Sequence, residues 1–238
     1  MRAIGFHPPI SPTTPIRARV PGFFPGVFLA VLALGMTIRA ETVSLPEPIR
    51  SGPVSVEQAL ELRRSVRAFS DSSLSLAEAG QLLWAAQGVT RERGRRTAPS
   101  AGATYPLEVY LVAGNVEELE PGIYRYLPGE HGLEPVTTGD RREDLAAACL
   151  GQQAVRRAAL SLVIGAEFSR TAKRYGKRAE RYVYLEAGHA AENVCLECVA
   201  LGLGMVCVGA FEDAAVKRVL EMKEAPVYVL PVGREDSD

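Results

Sequence analysis

Arg63, Arg64, Ser65, Val66 and Arg67 place three guanidiniums and a hydroxyl within five consecutive residues. That is the chemistry of an anion site. A guanidinium stays charged and offers a planar fork that grips phosphate through two parallel hydrogen bonds. In an extended stretch the side chains at 63, 65 and 67 point the same way, so one phosphate can be held with a cation left for a second electron-rich group. The plainer reading is that these cations complement the dipole at a helix C-terminus. Spacing alone leaves both readings open.

A second stretch, residues 97–106, carries small side chains between Pro99 and Pro106. Such a loop lets backbone N–H groups approach a planar ligand closely. Cys195 and Cys198 have the Cys-x-x-Cys spacing, but inside a helical stretch rather than at the N-terminus that would stabilise a thiolate. They read as small core residues. A metal site would require Cys149, Cys207 or His189 to converge on them, and there is no second paired motif, so no metal is expected. His189, between Gly188 and Ala190, reads as a hydrogen-bonded structural histidine. There is no zinc signature, glycine-rich nucleotide fingerprint or serine-nucleophile elbow in the chain.

Ordinary elements must position these groups. Ser55 caps a short helix that runs to the arginines, with Glu57 and Gln58 in its first turn and Leu60 on its apolar face. Ser75 and Glu78 form a capping box for a second helix, whose stripe Leu82, Leu83, Ala86 and Val89 packs on a core; Trp84 reads as core or interface. Strands are expected at 107–112, at 123–126 and 132–136 as a hairpin around Gly129, at 160–166 as a buried central strand, at 205–208 and at 227–232. Asp140 is expected to cap a helix through Leu150, and Asp213 a last one. Residues 178–201 form the longest helical stretch. Ala187, Gly188, Ala190 and Ala191 leave its middle with little bulk, which predicts close packing, and we assign that packing to a dimer partner.

The 238 residues, 47% hydrophobic, suffice for one sizeable core. A net charge of −1 exerts no global pull toward nucleic acid. Residues 1–44 read as a Pro-rich, signal-like leader. Arg17 and Arg19 precede the apolar run 27–36, which is short for a bilayer span, and Ala40 follows it. The alternative is a translation start at Met36. The first reading predicts export or envelope attachment, with membrane contact only through an uncleaved leader; the second predicts a cytoplasmic protein. Residues 45–238 then form the single domain.

Five motifs in order resemble the nitroreductase-like superfamily: residues 63–67, 99–106, 182–193, 202–211 and 231–234. More narrowly, they resemble its SagB-type, azoline-dehydrogenase-like branch. The resemblance covers about residues 45 to 235. It implies an α+β FMN-binding sandwich, a central, mostly antiparallel sheet flanked by helices, in a homodimer with FMN at the subunit interface. By the same resemblance Arg63, Arg64, Ser65 and Arg67 hold the FMN phosphate, ribityl chain and N1–C2 edge, and Arg234 adds a phosphate contact. Pro99, Ser100, Ala101 and Ala103 belong to a loop laid along the flavin of the partner subunit, while Gly209 and Ala210 lie near its N5.

Two departures from the family pattern bear on the reaction. Nitroarene-reducing members often carry an amide where this chain has Ala103. Azoline-oxidising members carry a Lys-Tyr pair before a glycine, and the matching residues here are Arg174, Tyr175 and Gly176. Arginine is a poor base; Tyr175 can still donate or relay a proton, and the bland alternative for the pair is a solvated loop. The resemblance implies an FMN-dependent oxidoreductase moving hydride between a donor, NAD(P)H or an organic substrate, and an organic acceptor, with a small-molecule or peptide-derived substrate. The competing class is a binding module that uses the same cleft without redox turnover.

Overall fold

The structure, a computed structural model, describes residues 41–236. Residues 1–40 of the leader, with the Met36 start, lie outside the described residues, whereas Val43 and Ser44, counted with the leader, form a short strand paired with Leu133 and Gly132. The described residues begin with β1 (Val43–Ser44), α1 (Val56–Leu62), α2 (Leu76–Gln87) and a small ribbon of β2 (Val89–Arg91) and β3 (Arg95–Arg96). It continues through β4 (Leu107–Ala113), β5 (Gly122–Leu127), β6 (Gly132–Thr138), α3 (Arg142–Ala148), α4 (Gln153–Arg157), β7 (Leu160–Ala166) and α5 (Phe168–Tyr175). The last elements are α6 (Ala179–Ala200), β8 (Gly204–Met205), α7 (Asp213–Leu220) and β9 (Ala225–Gly233).

Seven strands form one sheet in the order β1-β6-β5-β4-β7-β9-β8, and each neighbouring pair is antiparallel. Strand alternation sorts the core into two layers. Leu107, Val109 and Leu111 of β4, with Leu160, Leu162 and Ile164 of β7, pack with α2 and α6, whereas Tyr110, Val112 and Val163 pack with α3, α4 and α7. Because helices cover both faces, all seven residues of β7 are buried, which is why that strand reads as an unbroken apolar run. Among the described residues no helix is long and apolar enough to cross a membrane.

The Ser55 and Ser75 caps fall where the sequence puts them. Ser55 and Gln58 close a capping box on α1, and Ser75 and Glu78 close one on α2. Other expectations need correction. Leu60 does not face a core: it is 56% exposed, and Val56 and Leu62 beside it are open too, leaving Ala59 as the buried residue of α1. Asp140 accepts from the Arg142 N–H at 3.0 Å, but α3 stops at Ala148 and Leu150 takes a left-handed φ of 58°. Asp213 is the first residue of α7, and the cap is Glu212. The strand expected at 205–208 shortens to β8 plus a bridge from Val208 to Val229.

The largest correction concerns α6. Ala187, Ala190 and Ala191 are buried in this chain's own core, so their small size serves the approach of α6 to α2 and the sheet. Gly188 faces outward with nothing within 4 Å of a Cβ position. The small-residue argument for a dimer therefore fails: one chain alone uses the packing it was meant to explain.

Candidate functional site

The arginine segment leaves α1 through Arg63, the C-cap, whose φ of −58° and ψ of 124° turn the chain into extended backbone. Ser65 then bridges Met205 in parallel, and the Val66 N–H donates to the Met205 carbonyl at 2.8 Å. Val66 points inward, while Ser65 and Arg67 are exposed on either side of it. Gly204 makes this seating possible, since a Cβ there would stand 2.6 Å from Val66 Cγ1, on a β-branched side chain with little freedom to move. Further along, Phe69 bridges Glu235 and lies against Gly233. The polar side chains thus project from an edge fixed by β8 and β9.

Most of the cations on this edge have an acid. Arg64 pairs with Glu235, Arg234 with Glu78 at 2.9 Å, and Arg63 lies 3.9 Å from Glu192 of α6. Arg67 has no ion-pair partner among the described residues. Glu78 stays ionised although burial works against it, because the Ser75 N–H and Arg234 together outweigh that penalty and lower its pKa. Gly209 and Ala210 follow Val208 and are exposed, with the Ala210 carbonyl accepting from Gln152 at 2.9 Å. Of the expected residues, Ser65 bridges the end of β8, Gly209 and Ala210 follow the Val208–Val229 bridge, and Arg234 directly follows β9.

The other expected residues form a second group. Ser100 Oγ accepts from the Tyr105 N–H at 2.9 Å, folding the loop back on itself, and Gly102, Ala103 and Tyr105 all take positive φ. For Ala103 and Tyr105 that conformation costs energy, and such strain persists only where the surroundings enforce it. The enforcing contacts come from α5. Thr171 and Thr104 hydroxyls meet at 2.9 Å, Arg170 donates to the Tyr105 carbonyl at 2.9 Å, and Arg174 donates to the Gly102 carbonyl at 3.1 Å. Arg174 and Tyr175 thus form the last turn of a helix, which replaces the solvated-loop reading. Tyr175 is half-buried and stacks edge-on with Tyr182 at 4.9 Å. No hydrogen bond or ion pair among the described residues joins this group to the arginine edge.

Sequence reasoning missed Glu186. It lies on α6 under the same loop, 2% exposed, and neither carboxylate oxygen has a hydrogen-bond partner. Burial pushes its pKa up to about 7, against weaker opposing pulls from Ser100, Arg96 and the Ala101 backbone, which face it without reaching hydrogen-bonding geometry. Arg96 is itself held over the Tyr105 ring at 4.8 Å and bonded to Gln87 at 2.7 Å. The signal was present in the helical period: Glu186 falls three residues after Val183 and four before Ala190, on the buried stripe. His189, read as a hydrogen-bonded histidine, is exposed and makes no hydrogen bond among the described residues.

Comparison with known proteins places this architecture. A provisionally named nitroreductase of Methanocaldococcus jannaschii is 44% identical over 182 residues, 76% of this chain and 92% of that protein. The microcin B17-processing protein McbC of Escherichia coli is 30% identical over 144 residues, 58% of this chain; the match spans about half of McbC, 53%. A crystal structure provisionally named a nitroreductase, from Ralstonia eutropha, superposes with a TM-score of 0.72 at 33% identity, covering 87% of this chain and 94% of that one. Residues 60–234 match the model described as the nitroreductase family. With the antiparallel sheet and its helical layers in agreement, the chain belongs to the nitroreductase family, a family of flavin-dependent oxidoreductases.

Proposed function

We propose that this chain is an FMN-dependent oxidoreductase of the SagB-type branch, formed by residues 45–238 and working as a homodimer. It transfers hydride between a donor, NAD(P)H or an organic substrate, and an organic acceptor. The observation that carries the reading is the exposed edge of Ser65 and Arg67, held rigid by Met205 and Gly204 with Arg63, Arg64 and Arg234 around it. One compact basic cluster suits a single phosphate, and the chain has no dinucleotide fingerprint, which favours FMN over FAD.

The donor set fits the group. Arg67, without a carboxylate partner among the described residues, is free to receive phosphate, and Arg63, with only a long contact to Glu192, is nearly so. Arg64 and Arg234 must exchange Glu235 and Glu78 for the ligand. Bound flavin supplies the ring system that accepts and releases hydride. Gly209 and Ala210 are exposed and offer backbone groups to the flavin in this reading. No hydrogen bond or ion pair among the described residues ties Pro99, Ser100, Ala101 and Ala103 to that edge, and in this reading a partner subunit delivers them. The uncovered apolar residues Val56, Leu60 and Leu62 of α1 and Tyr184 and Leu185 of α6 supply a surface for that partner.

Arg174 is tied to the Gly102 carbonyl and acts by position; Tyr175 is the proton donor to the acceptor. McbC, by its name a microcin-processing protein, supports a peptide-derived substrate beside small molecules. The test is the purified protein's own flavin. FMN, not FAD, should be released on denaturation, NADH or NADPH should bleach it anaerobically, and the Arg63→Ala, Arg67→Ala double variant should lose it. Full flavin occupancy in that variant would sink the cofactor assignment, and bound flavin that no donor reduces would leave a binding module.

A further inference from the structure

We propose that Cys195 and Cys207 are a redox-active dithiol that closes to an intrachain disulfide on encountering a small-molecule disulfide such as oxidised glutathione. The two sulfurs lie 3.8 Å apart, Cys195 on the buried face of α6 and Cys207 in the half-buried segment between β8 and Val208. A bond would require the sulfurs to close from 3.8 Å to about 2.05 Å. The other two cysteines, Cys149 and Cys198, are buried.

The surroundings give the two thiols unequal roles. Cys207 is held below the ordinary thiol range, first by the hydrogen bond from Cys195 and then by Arg63 and Tyr228, although burial and Glu192 oppose this. Cys195 is pushed up by donating that bond and by burial. Cys207, the less buried of the two, is the sulfur an incoming disulfide reaches, and the buried Cys195 resolves. Cys207 thiolate attacks oxidised glutathione, forming a Cys207–glutathione bond as the glutathione S–S bond breaks and one glutathione leaves. Cys195 then gives its proton to solvent and attacks the Cys207 sulfur, and the second glutathione leaves. The protein pair loses two electrons and the glutathione disulfide gains them.

The site is independent of the flavin reading, yet it touches the same edge. Closing the bond would join α6 to the segment that follows β8, two residues beyond the Met205 that seats Ser65 and Val66. The test treats the full-length protein, as purified, with excess oxidised glutathione and counts thiols after denaturation. The count should fall from four to two. Digestion by glutamyl endopeptidase, which cuts at Glu197 between the two cysteines, should yield a linked pair that reductant separates. Cys207→Ser should keep its three thiols, Cys195→Ser should trap one glutathione on Cys207, and Cys198→Ala should still lose two thiols. Four thiols surviving in the wild type, a bond lost in Cys198→Ala, or a bond joining two chains would each overturn the proposal.

Discussion

The phenol oxygen of Tyr175 occupies space that only a glycine at position 102 leaves open: a Cβ on Gly102 would stand 2.6 Å from it and 2.9 Å from Arg174 Cδ. Gly102 also sits at φ 61°, so alanine there adds about 1 kcal/mol of backbone strain. Gly102→Ala should therefore behave as a displaced Tyr175. Both Gly102→Ala and Tyr175→Phe should slow reoxidation by the organic acceptor about 10- to 1000-fold, at and just below the range of a positioned acid, while flavin occupancy and reduction by nicotinamide stay near wild type. Stopped-flow traces of the two half-reactions separate these effects. An unchanged acceptor rate in Tyr175→Phe removes the tyrosine from the site.

Arg174→Lys asks whether the missing Lys-Tyr pair sets the substrate. Lysine has a titratable amine where arginine has none in the working range, and it gives up the longer reach to the Gly102 carbonyl. The variant is expected to gain measurable azoline oxidation by mass spectrometry of a thiazoline-containing peptide. Continued inactivity in a flavin-loaded variant would place the restriction elsewhere in the pocket.

Glu186 should give the fold a pH dependence of defined sign. Its pKa rises from 4.5 to about 7 on folding, so the folded state binds the proton more tightly than the unfolded chain. Stability is present in full below about pH 4.5, is lost as pH climbs through 7, and changes little from this group beyond. A shift of that size corresponds to about 3 kcal/mol. Glu186→Gln, which resembles the protonated acid, should flatten the difference in urea midpoint between pH 5 and pH 8. Equal slopes in wild type and variant would show that the carboxylate is not held in its neutral form.

Two substitutions separate core from interface. Ala190→Leu, at a residue with no exposure, should destabilise each chain by about 1–3 kcal/mol through overpacking whatever the assembly. Leu60→Arg, on the open face of α1, should leave chain stability near wild type but halve the mass seen by sedimentation and release FMN. A Leu60→Arg protein that remains dimeric would move the interface off α1.

Local signals made much of the fold legible in the sequence. The Ser55 cap, the Ser75–Glu78 capping box, the β5–β6 hairpin and the buried β7 follow from patterns a few residues long, and all are present. The small residues of α6 were visible but their partner was not, because a helix that packs on its own sheet and one that packs on a second copy carry the same composition. The arginine cluster stood out as a chemical concentration in five residues. Glu186 did not, since a single carboxylate in a charged helix looks solvated until the face it occupies is known. Cys195 and Cys207 were seen separately; their contact exists only once α6 and β8 are folded.

The seating of the arginine segment also sets an order of events in time. Arg64 meets Glu235 across 171 positions of chain, and Val66 has no backbone partner until Met205 arrives. Closing loops of that length is slow compared with forming a hairpin. A chain emerging from synthesis therefore displays its guanidiniums long before the strands that fix them exist, and the arginine edge proposed to hold phosphate is among the last parts of the molecule to acquire its shape. Pulse-labelled hydrogen exchange during refolding would show the Val66 amide becoming protected after those of β5 and β6.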